Sequence, residues 1–268
     1  MSAVAVQTEV VSPTRPTPAR IPTSRILSVE LRKSFDTRSG FWLLASVGIL
    51  AVLTTAAVIV FAPDDAITYG NFGAAIGIPM AVILPVIATL SITSEWSQRT
   101  GLTSFTLVPH RARVIRAKLA VALGVGVVSM LLAFGVGALG NLLGAAIAGV
   151  DPVWDITGGD FAGLVLFQIL NMLVGFTLGV LVRNSAGAIV GYFVFSFVLT
   201  TITSVLAATQ DWFERAQPWV DFNYAQGALT EASSMTGENW LQLAVTSLCW
   251  LALPLTAGLV AVLRSEVK

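Results

Sequence analysis

One histidine, His110, one cysteine, Cys249, and three lysines, Lys33, Lys118 and Lys268, make a thin inventory for chemistry in 268 residues. A zinc site wants several His or Cys ligands, and the chain cannot assemble them. A phosphate-cradling P-loop ends in Gly-Lys-[Ser/Thr], because backbone amides and one lysine hold the phosphates. None of the three lysines follows a glycine, so this chain is expected not to hydrolyse ATP through that motif. Asp151, Asp155 and Asp160 could form a carboxylate set, but they lie in a short Gly-rich segment and read as solvated surface. Cys249 sits in an apolar run as a small packing residue. The expectation is a chain with no catalytic residue, no metal and no cofactor of its own.

The remaining polar candidates lie inside apolar stretches. Gln168 and Asn171 are three apart and share a helical face, with Gly175 and Gly179 continuing near it. Ser196, Thr200 and Ser204 recur every four residues beside Thr201 and Thr203, and Asn141 stands alone in another run. Polar side chains in lipid find partners on neighbouring helices, typically for about 0.6–2 kcal/mol. Two readings follow: glue between helices, or the weakly polar lining of a pathway. Gln168, Asn171, Ser196 and Thr200 are the candidate pathway residues. Small-xxx-small pairs at Gly73/Gly77, Gly140/Gly144, Gly175/Gly179 and Gly187/Gly191 mark expected close helix contacts. Pro79, Pro85 and Pro254 are expected to kink their helices.

The elements that carry these residues follow from composition. Hydrophobic residues make up 55% of the chain, charged residues 11%, and the mean hydropathy is +0.82. So few charges cannot cover a soluble surface, which excludes a disordered chain, a basic nucleic-acid binder and an ordinary soluble enzyme. Six stretches reach the roughly 20 apolar residues that cross a bilayer: 41–61, 72–92, 119–147, 164–182, 186–207 and 243–263. None contains Asp, Glu, Lys, Arg or His, which argues against a proton relay. No ten-residue alternation suggests a barrel. The predicted fold is therefore an all-α integral membrane protein with six transmembrane helices.

The charges between spans alternate. Fourteen of the fifteen basic residues fall before span one, between spans two and three, at Arg183, or after span six, and only Arg215 lies opposite. Ten of the fifteen acids occupy that opposite side. Basic segments stay in the cytoplasm, so both termini are expected there. Residues 1–23, rich in Pro, Thr, Ser and Val, read as a disordered tail, with 24–268 as the six-span domain. Ser24–Arg38 places Ile26, Leu27, Leu31 and Phe35 at helical spacing and reads as an amphipathic helix capped by Ser24 or Thr23. It serves either as an interfacial anchor or as a docking surface. The segment Ser94–Leu119 is too polar to span, is broken by Pro109, and carries Arg111, Arg113, Arg116 and Lys118, whose simplest role is snorkelling at the boundary. The third span is too long and must tilt, kink near Gly135–Gly140 or protrude. The outer segment Ala208–Asn239 holds Trp212, Phe213, Trp219, Phe222 and Tyr224, as short helices at the outer leaflet would.

Glu95, Trp96, Thr100, Gly101, Thr106, Leu107, Pro109, Arg111, Arg113 and Lys118, in that order before an apolar span, resemble the first intracellular loop of type-2 ABC exporter permeases. The amphipathic helix before span one, the six spans and the long outer loop before the last span are similar to that family too. One departure is Arg99-Thr100, where the family often has Gly-Thr. The resemblance implies a permease subunit in the cell membrane, pairing with a second permease copy or paralogue, and the many Ala, Val, Gly and Arg residues with few Lys point to a bacterial source. A separate cytoplasmic ATPase would bind ATP and Mg. Glu95, Trp96, Arg99, Thr100, Gly101, Pro109, Arg111 and Arg113, with Glu30, Arg32 and Lys33 of the amphipathic helix, would couple to that ATPase, and re-entrant outer helices would cap the exit. Membrane lipids are the other expected partner; nucleic acid is not. The alternatives are a non-transporting anchor or sensor for a cytoplasmic partner, and an ion-coupled carrier.

Overall fold

The computed structural model describes residues 21–97 and 111–264. Among them the chain is predominantly helical, with a lone bridge between Thr68 and Val153 in place of any sheet. Helix α1 spans Thr23–Asp36, α2 Arg38–Phe61, α3 Tyr69–Ser97, α4 Arg111–Ala148 and α5 Gly158–Val182. Helix α6 covers Ser185–Thr209, the short α7 and α8 cover Asp211–Val220 and Phe222–Gly227, and α9 covers Gly237–Arg264. Six of these (α2, α3, α4, α5, α6 and α9) are long and apolar enough to cross a membrane, which makes this a multi-pass membrane protein.

The helices outrun the apolar stretches that announce them, because polar residues at their ends still find helical hydrogen bonds. Thr157 and Asp160 form a capping box at the start of α5, and Thr236 and Asn239 another at α9. Helix α4 runs for 38 residues without a break at Gly135–Gly140, about 57 Å at 1.5 Å per residue. Its excess length lies at the start, where it reaches past the apolar run to meet α1. That helix forms as its apolar spacing predicts, but its cap is Pro22, with no side-chain bond. Thr23 is already helical, and its hydroxyl accepts from Arg113 Nη2 at 3.1 Å instead.

Helix α3 packs most extensively against α5, and glycine permits it. A Cβ on Gly175 would collide with the Pro85 carbonyl oxygen, and one on Gly179 with the Ile92 side chain. Gly140 and Gly144 similarly face Thr55, Phe72 and Ile67. Gly77 faces open space and Gly191 makes only ordinary contact, so two of the four small-residue pairs are true seams. Pro85 lacks the amide that would bond the Ala81 carbonyl. Tyr192 of α6 donates its hydroxyl there at 2.6 Å, so a broken helical bond becomes an interhelical one. One apolar core joins α2–α5 and the end of α9 through Phe176, Met80, Leu84 and Val262. A second gathers Tyr192, Phe222, Leu229 and Leu251 from α5, α6, α8, α9 and the turn Ala228–Ser234. Helix α6 is the least covered span, with Val190, Val194, Val198 and Ile202 outward. Cys249, expected to pack inside, is exposed, within a short π-helical stretch of α9, Leu248–Ala252.

Candidate functional site

The most unusual polar arrangement lies where α1, the end of α3 and the start of α4 meet. Glu30 and Lys33 are three apart on α1 and share a face. Glu95 comes from the last turn of α3 and Lys118 from the third turn of α4. Lys118 Nζ contacts Glu30 Oε2 at 2.6 Å and Glu95 Oε1 at 2.9 Å. Lys33 Nζ contacts Glu30 Oε1 at 2.9 Å and Glu95 Oε1 at 3.3 Å. The four form a closed ring of alternating sign, formally neutral, built from two of the chain's three lysines.

Burial makes this ring consequential. Lys118, Glu95 and Glu30 are 3%, 4% and 7% exposed, whereas Lys33 is 46% exposed. Exposed pairs contribute about 0–1 kcal/mol, but removing one partner of a buried pair costs about 3–5 kcal/mol, since the other charge stays desolvated. Burial works against the charge of Lys33, yet the hydrogen bonds and negative charges of Glu30 and Glu95 outweigh it and raise its pKa above the ordinary lysine value. Arg113, five residues before Lys118, donates to the Ile21 carbonyl at 2.8 Å and so holds the approach to α1 as well. Trp96 packs half-buried on the main core.

Of the residues singled out for coupling, Glu30, Lys33, Glu95 and Arg113 thus converge on one junction. Arg32 points to solvent, and Arg111 is the first residue of α4. Arg99, Thr100, Gly101 and Pro109, together with His110, lie outside the described residues. Lys118 corrects the sequence expectation. Snorkelling would leave its ammonium in water, but the two carboxylates that α1 and α3 bring to it compensate the charge inside the fold. Its rarity as a lysine at the foot of an apolar helix was the available signal; its partner 88 positions away was not.

The pathway candidates are placed differently. Gln168, 3% exposed, donates to the Met80 carbonyl of α3 at 3.3 Å. Asn171 donates to Phe167 at 3.0 Å and accepts from Tyr192 at 3.4 Å. Both are spent on fastening α3, α5 and α6 together. Ser196 lies one turn beyond Tyr192, in the π-helical stretch Val194–Leu199, and Thr200 follows it; the buried Thr200 hydroxyl has no hydrogen-bond partner among the described residues.

At the opposite end, acids act as pins. Asp155 Oδ1 accepts from the Gly70 amide at 2.6 Å, and Asp160 Oδ1 accepts from the Ser233 amide and hydroxyl at 2.9 and 2.7 Å. Buried Asp221 takes the Thr203 hydroxyl at 2.6 Å and caps α8.

No protein-family model matches the chain, and no curated protein matches it.

Proposed function

We propose that the chain is the membrane-spanning permease subunit of an ATP-driven exporter in a bacterial cell membrane, moving a lipophilic or amphipathic substrate with energy from a separate ATPase. The observation that carries this reading is the buried ring of Glu30, Lys33, Glu95 and Lys118. It binds a helix outside the spans to the ends of two spans that flank the connection 98–110. A force applied to α1 or to that connection by a cytoplasmic motor moves α3 and α4 together, because bending the junction means separating desolvated charges. The resemblance of the segment from Glu95 to Lys118 to a coupling loop, and a sequence without a P-loop lysine, agree with a motor on another polypeptide. In this arrangement both termini face the cytoplasm and two permease units enclose the pathway.

Purification of the tagged chain from its own membranes under mild detergent tests the proposal. An ATPase subunit is expected to co-purify, and Glu95→Lys is expected to leave hydrolysis running while vesicle transport of a lipophilic dye falls at least tenfold. Recovery of the chain without any nucleotide-hydrolysing partner, from membranes that transport without ATP, contradicts it.

A further inference from the structure

A groove of about 420 Å³ runs between α2 and α4, with Met80 of α3 at its floor and Leu31 and Phe35 of α1 at one end. Every lining side chain is apolar except Ser129. Its walls belong to spans, so its surroundings are hydrocarbon and water has nothing to bond there. A flexible hydrocarbon chain suits a groove of this size and lining. Two of the lining residues, Gly48 and Gly124, face open space: a Cβ on either meets nothing within 4 Å. The glycines hollow the groove rather than bring two helices together.

Charge lies at the same end as α1. Arg32 falls between the groove residues Leu31 and Phe35, and Arg38 opens α2, whose residues Leu44 to Ala51 form one wall. Both arginines are exposed and make no ion pair among the described residues, in contrast with neighbouring Lys33, which the buried ring occupies. Basic side chains next to a membrane attract anionic headgroups, at about 1 kcal/mol for each Lys or Arg near the surface.

We propose that this groove is a binding site for one acyl chain of an anionic phospholipid, whose headgroup is held by Arg32 and Arg38. The assignment of the groove does not depend on the proposed transport. A lipid so placed bridges α1, α2 and α4 and braces the junction formed by the buried ring.

The test uses the full chain in nanodiscs of phosphatidylcholine and phosphatidylglycerol, with phosphatidylglycerol bearing a diazirine in its acyl chain. Photo-crosslinks on the unaltered protein are expected to concentrate on residues 44–51 and 124–136, at least fivefold above those on exposed α6. Equal labelling of the two regions overturns the site. Gly48→Leu with Gly124→Leu is expected to fill the groove and cut its labelling at least fivefold, with labelling of α6 unchanged; undiminished labelling in a folded variant overturns the proposal. If that variant does not fold, the crosslink map of the unaltered protein still decides. Arg32→Gln with Arg38→Gln is expected to lower groove labelling severalfold for phosphatidylglycerol and not for a diazirine phosphatidylcholine. An equal fall for both, or none, overturns the headgroup assignment. Conversion of a dimer to monomer by the glycine double variant, with groove labelling intact, points to a second copy and also overturns it.

Discussion

The two ends of this molecule are fastened by different physics. At the end bearing α1, four charges from three helices close into one ring, three of them almost wholly shielded from water. At the other end, Asp155, Asp160 and Asp221 each bind neutral amides and hydroxyls, and Trp250 donates to the Val220 carbonyl at 2.7 Å. Each such bond can be lost while its neighbours hold. The ring cannot fail in that gradual way, because each member contacts two others of opposite sign and removal of a buried one unbalances both. One end behaves as a single joint, the other as a row of independent pins.

The largest effect that can break this contrast is at Lys118. Lys118→Met is expected to weaken docking of α1 by about 3–5 kcal/mol, since buried Glu30 loses its 2.6 Å partner and keeps only half-exposed Lys33 in the ring. Hydrogen exchange of residues 23–36 measures it. Next comes the glycine seam between the ends. Gly175→Ala drives a methyl into the Pro85 carbonyl and is expected to cost about 1–3 kcal/mol in thermal unfolding, whereas Gly77→Ala, with nothing nearby, is neutral or slightly stabilising. Tyr192→Phe leaves the Ala81 carbonyl without its donor, with an expected loss of about 1–2 kcal/mol.

Among the pins, Asp160→Asn is expected to raise exchange only near Ala228–Ser234, with α1 unaffected. The smallest effect concerns pH. Association raises the pKa of Lys33, so its contribution is fully present below the unfolded pKa and fades as pH rises through the higher folded one. Exchange of α1 should therefore increase only at strongly alkaline pH, by less than about 1 kcal/mol given the exposure of Lys33, and Lys33→Met should remove that dependence.

The sequence made the spans legible because a bilayer imposes a length and excludes charge, and both leave marks in single residues. The helix 23–36 was legible from the spacing of Ile26, Leu27, Leu31 and Phe35. Its cap was not: Thr23 has a capping hydroxyl, but Arg113, distant in sequence, claims it. Gly175 and Gly179 announced a seam correctly, while Gly73 and Gly77 had the same spacing and no neighbour pressing on Gly77. Spacing says which residues share a face, not which face meets another helix. Glu95 was recognisable at a membrane boundary. Lys118 was not recognisable as buried, because its environment is created by residues 23 and 88 positions away. The use of Asn171 and Tyr192 to mend the gap left by Pro85 was likewise invisible until three helices were placed together.

Hydrogen exchange across residues 23–36 in three proteins probes the ring most directly: the unaltered chain, Lys118→Met, and Lys118→Met with Glu95→Gln. Exchange of α1 should rise at least a hundredfold in the single variant, about 2.7 kcal/mol or more at 1.36 kcal/mol per tenfold. It should fall back by at least tenfold in the double variant, because one of the two buried carboxylates that faced Lys118 is neutralised and Glu30 keeps Lys33. Protection of α1 that is unchanged by Lys118→Met, or a double variant more exposed than the single one, would contradict the ring as the joint between α1 and the spans.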